Sequence, residues 1–495
     1  VSESQERMSL SVDPSRLDEL LDLARRRGVE ATVVGEFTDS GRVTLGWKGE
    51  MVADIDLAFM HEGVPRMQLS AQWIPADTRL AAVADMARES EALEVRTSAS
   101  TRPTAFDAST TLLQLLAEPN ITSKESLIRQ YDHEVQGQTV IKPFVGPEAD
   151  GPSDGGLIRP FADSGRGLAV THGICPRVSI IDTRNMAAMA VDEALRAAVA
   201  MGADPDRAAA LDNFCWPDPV LSDQTPDGPY KLAQLVRACE GLAETCEAYG
   251  VPLVSGKDSM KNDANIGGRK VSVFPTLLVT LTALCDEVTH SVSSDFKAAG
   301  HFVYVLGHTQ GRLGASYYEK LMLRRLGLGS DAIGLLGHAP SLNTTNAIAA
   351  YRVFHQAVRE NLIRSAHDVS DGGLAVALAE SALAGRVGAE IDLSGVASAL
   401  ESWTDVQPHL AEAELGGIAS PGARTLFCEC PGRIVISVAE EDAARFEGMF
   451  YGHHLMRIGQ TRDDGTMSLH AGTESVQCDL EELAGAWNAR WGMKA

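Results

Sequence analysis

The sequence is short of basic residues, with 43 lysines and arginines against 67 aspartates and glutamates and a formal net charge of -24. Without a basic surplus to neutralise phosphates, binding to nucleic acid or to an anionic membrane is not expected. Long apolar runs are also lacking. The longest uncharged apolar stretch, 271–285, is too short to span a bilayer and is rich in β-branched residues, so it predicts a buried strand.

Cysteine is scarce as well, with eight residues, no C-x-x-C pair and one close spacing, Cys428-x-Cys430. A structural zinc site there would need two further soft ligands, and the sequence does not clearly supply them. The pattern predicts reduced cysteines in a cytoplasmic protein. What the chain does have is 495 residues that are 44% hydrophobic. A chain of this length is expected to form about three domains.

Two segments of the chain repeat. The blocks 1–12 and 33–45 align with 427–438 and 457–469. The alignment pairs Glu3 with Glu429, and two matches in order at nearly one offset predict a duplicated domain. The opening block predicts a loop that runs into a strand. The second copy is preceded by a long run from about 301 that the first copy lacks, so we expect the chain to be the C-terminal part of a longer protein.

Helix and strand patterns interleave along the rest of the chain. Helices are predicted at 109–117, 123–130, 185–200, 229–249, 314–325, 343–362 and 372–385, and strands at 207–216, 251–256, 271–285, 301–307 and 388–393. A polar connector is predicted at about 63–105. This alternation favours an α/β or α+β layered fold.

The strongest local motif is HDVSDGG, at 367–373, between a short apolar strand and an Ala/Leu-rich helix. Its glycines allow close approach of backbone N–H groups to a ligand, and a helix N-terminus favours an anion. Asp368 and Asp371 could then hold Mg²⁺ against phosphates, and Ser370 could donate to an oxygen. The alternative is that Ser370 or Asp371 caps the helix.

Other polar residues follow apolar segments. In VPLVSGKDSMKND, Lys257 and Ser259 come after a strand and a glycine, which indicates either a ligand-binding turn or an ordinary polar turn. Asp154 precedes two glycines. Asp212 follows a strand, and it is expected to be either a ligand-facing carboxylate or the cap of a helix. Glu193 lies on the inner half of a helix. The alternatives for Glu193 are a surface position or an ion pair with Arg184 or Arg196, and His367 is expected to be structural.

Together these segments resemble the formylglycinamidine ribonucleotide synthase family of the AIR synthetase-like superfamily. HDVSDGGLAVALAE is similar to the whole superfamily, whereas SESQERM, QYDHEVQG, ALDNFCWPDP and SGKDSM are similar to this family in particular. The resemblance implies an α/β (α+β layered) fold with N-type and C-type domains in a duplicated pseudo-dimer, whose first copy is truncated. The implied domains are a C-type remnant at 1–62, a connector at 63–107, an N-type domain at 108–293 and a C-type domain at 297–490.

The resemblance also implies a function. It is an ATP-dependent ligase of purine biosynthesis that turns formylglycinamide ribonucleotide and ammonia into an amidine through an imino-phosphate, with ATP or ADP and Mg²⁺ as cofactors. The implied partners are a separate glutaminase subunit, a small bridging subunit and the N-terminal half of the same protein, where the catalytic residues are expected. The alternatives are an inactive nucleotide-binding structural half, or a superfamily enzyme of the selenophosphate synthetase or hydrogenase-maturation type.

Site residues are implied by position. The substrate contacts are Glu3, Ser4, Gln5 and Ser259, the nucleotide contacts are Asp212, Gly256, Lys257, Ser370 and Gly372, and the metal ligands are Asp154, Glu193 and Asp368. Two positions depart from the family pattern. Ala197 stands where a metal-binding asparagine is usual, so fewer ions are expected there. Lys257 stands where shorter relatives have asparagine, and it is expected to neutralise phosphate charge.

Overall fold

A computed structural model describes residues 7–89, 106–400, 402, 409 and 415–489. The chain divides into two compact units, Val1–Gln68 and Leu69–Ala495. No helix among the described residues combines the length and the apolar surface that a membrane crossing requires.

The first unit consists of a helix, a β-hairpin and a short second helix. Its elements are α1 (Leu17–Arg26), β1 (Arg42–Trp47), β2 (Glu50–Asp56) and α2 (Leu57–Glu62). The strands pair antiparallel, and Asp56 caps α2 by accepting the N–H groups of Ala58 and Phe59. None of the described residues in this unit is buried.

The second unit holds the remaining elements. Its helices are α3 (Ala76–Glu89), α4 (Ala108–Leu116), α5 (Glu125–Ile128), α6 (Thr183–Ala200), α7 (Gly228–Tyr249), α8 (Tyr317–Arg325), α9 (Thr344–Arg359), α10 (Gly373–Gly385), α11 (Ser394–Ser398), α12 (Pro421–Phe427), α13 (Ala443–Met449) and α14 (Leu480–Trp487). Its strands are β3 (Thr139–Ile141), β4 (Phe144–Val145), β5 (Gly151–Pro152), β6 (Gly156–Ile158), β7 (Gly167–Ile174), β8 (Ala208–Cys215), β9 (Leu253–Ser259), β10 (Asp263–Ile266), β11 (Arg269–Ser272), β12 (Thr276–Cys285), β13 (Phe302–Leu306), β14 (Ser365–Asp368), β15 (Gly388–Asp392), β16 (Ile434–Val438), β17 (Leu455–Arg462), β18 (Thr466–Ala471) and β19 (Glu474–Asp479).

Two mixed sheets organise this unit. The six-stranded sheet has the order β3-β6-β7-β12-β8-β9, and the seven-stranded sheet has the order β14-β16-β13-β17-β15-β18-β19. Neighbouring strands are antiparallel except in the parallel pairs β8–β9 and β15–β18. Strand β9 therefore forms one edge of the six-stranded sheet.

Helix α6 covers one face of the six-stranded sheet, where it packs on β7, β12 and α7. Of its 18 residues, 14 are buried, and they include Asp192 and Arg196. Helix α10 is Ala/Leu-rich and buried nearly all round, as its sequence predicts. The charged residues of α6 must find partners in the interior, because a buried charge is costly when unpaired.

The predicted internal repeat is present in the fold. Corresponding elements open at Leu17 and Ala443, at Arg42 and Thr466, and at Glu50 and Glu474, with offsets of 426, 424 and 424. Both hairpins lead into a helix capped by an aspartate, Asp56 in the first unit and Asp479 in the second. The surroundings differ, since Leu45 is 46% exposed whereas its counterpart Leu469 is 0% exposed.

Several predicted elements are corrected by the structure. The run 271–285 is not one strand: β11 ends and β12 begins around Pro275, which cannot donate to a ladder. The predicted connector contains helix α3, the helix predicted at 123–130 is the four-residue α5, and residues 7–13 form no strand. The domain boundaries stay predictions, and the division at Gln68 falls within the predicted connector.

Candidate functional site

One group of predicted residues meets at the edge of the six-stranded sheet. Asp212 of β8 pairs in register with Gly256 of β9. A Cβ atom on Gly256 would lie 1.9 Å from the Asp212 Oδ1 atom, so the absence of a side chain lets the carboxylate lie over the neighbouring strand. Asp212 is inside a strand, and the alternative that it caps a helix is wrong.

The predicted residues at this edge lie on opposite faces of the sheet. Side chains alternate along a strand, which places Lys257 and Ser259 on the face opposite Asp212. Lys257 Nζ donates to Ser259 Oγ, which confirms that these two share a face. Val279, in register with Asp212 on β12, is buried on the helix-covered side. The structure thus brings Lys257 and Ser259 together on the open face and separates them from Asp212.

A second carboxylate accompanies Asp212. Burial, and then the negative charge of Asp258, raise the pKa of Asp212. Both carboxylates lie close enough to α7 to raise the pKa of the Cys239 thiol, after burial. Adjacent carboxylate oxygens could hold a hard cation such as Mg²⁺.

The other group lies where the two sheets approach each other. Asp154 precedes β6, Asp368 ends β14, and one ligand atom from each of these residues and from His367 lies within 4.8 Å of the others. His367 Nδ1 is 2.5 Å from Asp154 Oδ1, and its Nε2 is 3.0 Å from Glu380 Oε2. With a carboxylate at each ring nitrogen, His367 donates from both and carries a positive charge.

The pKa values of this cluster follow from burial and pairing. Burial raises the pKa of Asp154 to about 7, although the positive charge of His367 acts to lower it. Burial alone would lower the pKa of His367, but Asp154 and Glu380 raise it well above its ordinary value. The expectation that His367 is structural agrees with this paired state.

Glu193 faces the same region from α6. Its Oε2 accepts the N–H of Ile174 at 2.7 Å. Burial, followed by the charges of Asp371 and Asp368, raises its pKa to about 8. The alternative of an ion pair on Glu193 is wrong, because Arg184 pairs with Glu244, and Arg196 pairs with Asp192 and Asp368.

These three carboxylates, predicted to bind Mg²⁺, already have partners from the chain. Asp368 Oδ2 is 3.2 Å from Arg196 Nη2, and Asp154 pairs with His367. Glu193 accepts the N–H of Ile174. Mg²⁺ needs ionised oxygens in octahedral geometry and keeps several waters. An Mg²⁺ ion at Asp154 and Asp368 would therefore have to displace His367 or Arg196, and the role of these carboxylates as metal ligands stays a prediction.

The loop that carries Ser370 and Gly372 is held by a neighbouring glutamate. Glu429 Oε1 accepts the N–H groups of Gly372 at 2.7 Å and of Tyr317 at 2.8 Å. Its Oε2 is 3.1 Å from Arg177 Nη2, and that guanidinium lies 3.2 Å over the Tyr317 ring centroid. Burial raises the pKa of Glu429 to about 7. These contacts leave little room beside the loop.

A cavity of about 30 Å³ lies beside Ser370. Pockets for drug-sized ligands occupy several hundred Å³, so a nucleotide would require the pocket to open. Neither Ser370 nor Asp371 caps α10, since the residue at the cap is Gly372, with φ at 80° and no capping side chain. The alternative reading of this motif as a side-chain cap is therefore wrong, and its nucleotide contacts stay predictions.

Glu3, Ser4 and Gln5 lie outside the described residues. Their place in the second copy is informative, because Glu429 is the counterpart of Glu3 and binds backbone N–H groups of the loop. Sequence reasoning missed Glu429 as a site residue, although the repeat pairs it with Glu3. Arg177 was missed too, and no local motif marks it.

Comparison with known domains agrees with this architecture. The profile described as "AIR synthase related protein, C-terminal domain" matches residues 1–48 and 298–472. The profile described as "AIR synthase related protein, N-terminal domain" matches residues 152–283. The C-terminal profile matches on both sides of the N-terminal one, as a duplication requires.

The chain is similar to curated proteins named phosphoribosylformylglycinamidine synthase subunit PurL. The relative from Leuconostoc mesenteroides is 29% identical over 97% of this chain and 55% of its own length. Those from Anaeromyxobacter sp. and Leifsonia xyli are 30% and 31% identical over 98% of this chain, and 56% and 54% of their own lengths. The chain therefore spans about half the length of these relatives.

Solved structures show the same fold. "T. maritima PurL complexed with FGAR" matches with a TM-score of 0.52 and 18% identity, over 79% of this chain and 55% of that one. "Structure of PurLQS from Thermotoga maritima" matches with a TM-score of 0.51 and 17% identity, over 80% and 54%. Together with the domain matches, they confirm the predicted fold class.

Proposed function

The chain belongs to the AIR synthase related proteins, and on that premise we propose that it forms part of a phosphoribosylformylglycinamidine synthase, an ATP-dependent ligase of purine biosynthesis. The relatives that carry this name align with 97–98% of the chain, which supports the proposal. The selenophosphate and hydrogenase-maturation alternatives have no comparable support along the chain.

In the proposed reaction, ATP phosphorylates the formamide oxygen of formylglycinamide ribonucleotide and ADP leaves. Ammonia then adds to the activated carbon, and phosphate departs to give the amidine. Phosphoryl transfer of this kind depends on positioning and on charge stabilisation. The residues of this chain are therefore expected to bind and orient ATP and formylglycinamide ribonucleotide.

The observation that carries the assignment is the Lys257–Ser259 pair on the open face of the sheet. A lysine ammonium there would neutralise phosphate charge, and the Ser259 hydroxyl would hydrogen-bond to the substrate. Asp212 and Gly256 stay predicted nucleotide contacts. Their close fit also fixes the position of β9, on which Lys257 and Ser259 lie.

The same open face supports a proposal about assembly. On β7 it presents Val170, His172 and Ile174 to solvent, so apolar and polar groups lie exposed on a flat surface. We assign this face to the N-terminal half that the longer relatives possess, and we place the remaining catalytic groups in that half. Ammonia would come from a separate glutaminase subunit, with a small bridging subunit, and eight free cysteines suit the reducing cytoplasm.

Reconstitution tests the proposal. The chain, the missing half and their mixture are each given formylglycinamide ribonucleotide, ATP, Mg²⁺ and ammonia, and amidine and ADP are measured. We expect turnover from the mixture only. Turnover by this chain unaided would contradict its dependence on the other half. A mixture that associates and binds ATP but forms no amidine would contradict the ligase assignment and favour a structural role.

A further inference from the structure

Acidic side chains crowd the region between the two sheets of the second unit. Asp192 and Asp368 are both buried there, one on α6 and the other at the end of β14. Their charges come from different sheet layers, and two buried carboxylates this close need a cation between them. In a nucleotide pocket that cation would ordinarily be Mg²⁺.

The cation that the structure supplies is Arg196. It lies on α6, is buried, and forms an ion pair with Asp192 one helical turn earlier. Its Nη2 reaches Asp368 Oδ2 at 3.2 Å and the Val369 carbonyl oxygen at 3.3 Å. One guanidinium thus joins the α6 layer to the loop that follows β14.

The other hydrogen-bond acceptor positions of the Asp192 carboxylate are also occupied. Its Oδ1 accepts the hydroxyl groups of Tyr249 and Tyr351, each at 2.7 Å, and its Oδ2 accepts the Gly432 N–H at 2.9 Å. A carboxylate that is already bound by four donors has no lone pair directed at a metal. The hydrogen-bonding capacity of Asp192 is therefore used up, whereas the buried Nε of Arg196 has no hydrogen-bond partner among the described residues.

Helix geometry explains why the arginine can take this place. Residue 197 is alanine, which carries no ligand atom, and Arg196 is one position earlier on the same turn as Glu193. A planar guanidinium with five donors suits buried carboxylates better than a point charge does. A large side chain next to a small one places a fixed positive charge inside the pocket.

We propose that Arg196 occupies the place of a divalent cation, so that Asp192 and Asp368 share a counter-charge supplied by the chain itself and the stability of this pocket between the sheets depends on neither Mg²⁺ nor nucleotide. The cavity of about 30 Å³ beside Arg196 and Ser370 agrees with a pocket filled by side chains. The inference revises the metal ligands expected from sequence. It concerns the pocket between the sheets and does not depend on the proposed reaction at the edge strand.

Thermal unfolding of the full chain tests the inference. Without added nucleotide, any difference between the Tm of the wild-type chain in EDTA and in excess Mg²⁺ is expected to be the same in Asp368→Asn, because Mg²⁺ bound at the edge strand does not involve Asp368. Arg196→Ala is expected to lower Tm, and Mg²⁺ is expected to raise the Tm of this variant because the vacated space can admit the ion. Arg184→Ala is the matched control, since Arg184 lies on the same helix in an exposed pair with Glu244. It should keep the wild-type Tm and the wild-type response to Mg²⁺.

Direct ion binding keeps the inference testable if Arg196→Ala does not fold. Mn²⁺ binding to the wild-type chain is followed by water proton relaxation, and is repeated with Asp368→Asn. Absence of a stoichiometric site, or a site that survives Asp368→Asn, supports the inference. A stoichiometric site lost in Asp368→Asn, a rise of the wild-type Tm in Mg²⁺ that disappears in Asp368→Asn, or a wild-type Tm in Arg196→Ala would each overturn it.

Discussion

The Asp212 carboxylate lies against the backbone of Gly256, so close that a Cβ atom at residue 256 would be 1.9 Å from its Oδ1. The contact joins strands β8 and β9, which are far apart in sequence, at the edge of the sheet. Gly256 adopts an ordinary extended conformation here, so a glycine is favoured by space and not by backbone conformation.

Gly256→Ala should therefore push Asp212 or β9 aside. Because the clash is with the end of the Asp212 side chain at an exposed position, we expect a loss of no more than about 0.5 kcal/mol in the free energy of unfolding, and a raised KM for ATP in the reconstituted enzyme. Urea unfolding and steady-state kinetics measure the two effects. Gly156→Ala in β6 is the control, because nothing lies within 4 Å of its Cβ position. Equal effects of both substitutions would contradict the packing argument.

Lys257→Ala should impair catalysis without affecting stability. A charged hydrogen bond to phosphate contributes on the order of 1.5–3 kcal/mol, so kcat/KM for ATP should fall by about ten- to a hundredfold. The unfolding free energy should not change, because β9 is exposed at this residue. Lys261→Ala is the matched control, since its side chain is 61% exposed and its ion pair with Asp218 is 3.8 Å long. Identical kinetics in the two variants would place the phosphates elsewhere.

Asp192→Asn should weaken the contact between the two sheet layers. It removes a buried charge that Arg196, Tyr249 and Tyr351 all bind, and breaking a buried ion pair costs about 3–5 kcal/mol. Tyr351→Phe should cost about 1 kcal/mol through one lost hydrogen bond. Denaturant unfolding measures both. Tyr451→Phe, at a side chain that is 93% exposed, should leave stability unchanged.

The buried Glu319 predicts a dependence of stability on pH. Burial raises its pKa to about 7 from an ordinary value of 4.5, although the N–H groups of Leu336, Ala315 and Gly334 act to lower it. Between pH 4.5 and 7 the folded chain therefore holds a proton that the unfolded chain has released. Stability should fall as pH rises through this window, by on the order of 3 kcal/mol for this group, and stay level above it.

Urea unfolding across that pH window checks whether stability falls or rises with pH. Glu319→Gln should be less stable at every pH, by about 1–3 kcal/mol for the mismatched N–H donors, but its stability should fall less steeply than that of the wild type. Glu240→Gln, at an exposed glutamate on α7, should keep the wild-type slope. A wild-type curve that rises with pH would show that the carboxylate is ionised in the folded chain.

The sequence predicted the elements of the fold that depend on the order of neighbouring residues. Helices α6 and α10 follow from runs of small and apolar residues, and the internal repeat predicted a duplicated domain, although it did not predict the two capped hairpins. The break at Pro275 was also visible in the sequence, because proline cannot donate to a strand ladder. The continuous run of β-branched residues on both sides of it outweighed that signal.

Long-range partnerships were beyond prediction. Arg196 and Asp368 are 172 residues apart, and no local pattern states that their side chains meet. The opposite faces of Asp212 and Lys257 depend on the register between β8 and β9, which only the folded sheet defines. The sequence thus predicts candidate site residues, while their grouping required the tertiary structure.

Among the strands of the described residues, β9 pairs with β8 alone, and Leu253 and Val254 on it are exposed. Its outer backbone groups can accept another extended chain as readily as a proper subunit. Heterologous production of this polypeptide by itself therefore invites edge-to-edge aggregation and losses in concentrated solution. Co-expression with the half of a longer relative that does not align with this chain should raise the yield of dispersed protein. A charged substitution at Val254 should have the same effect.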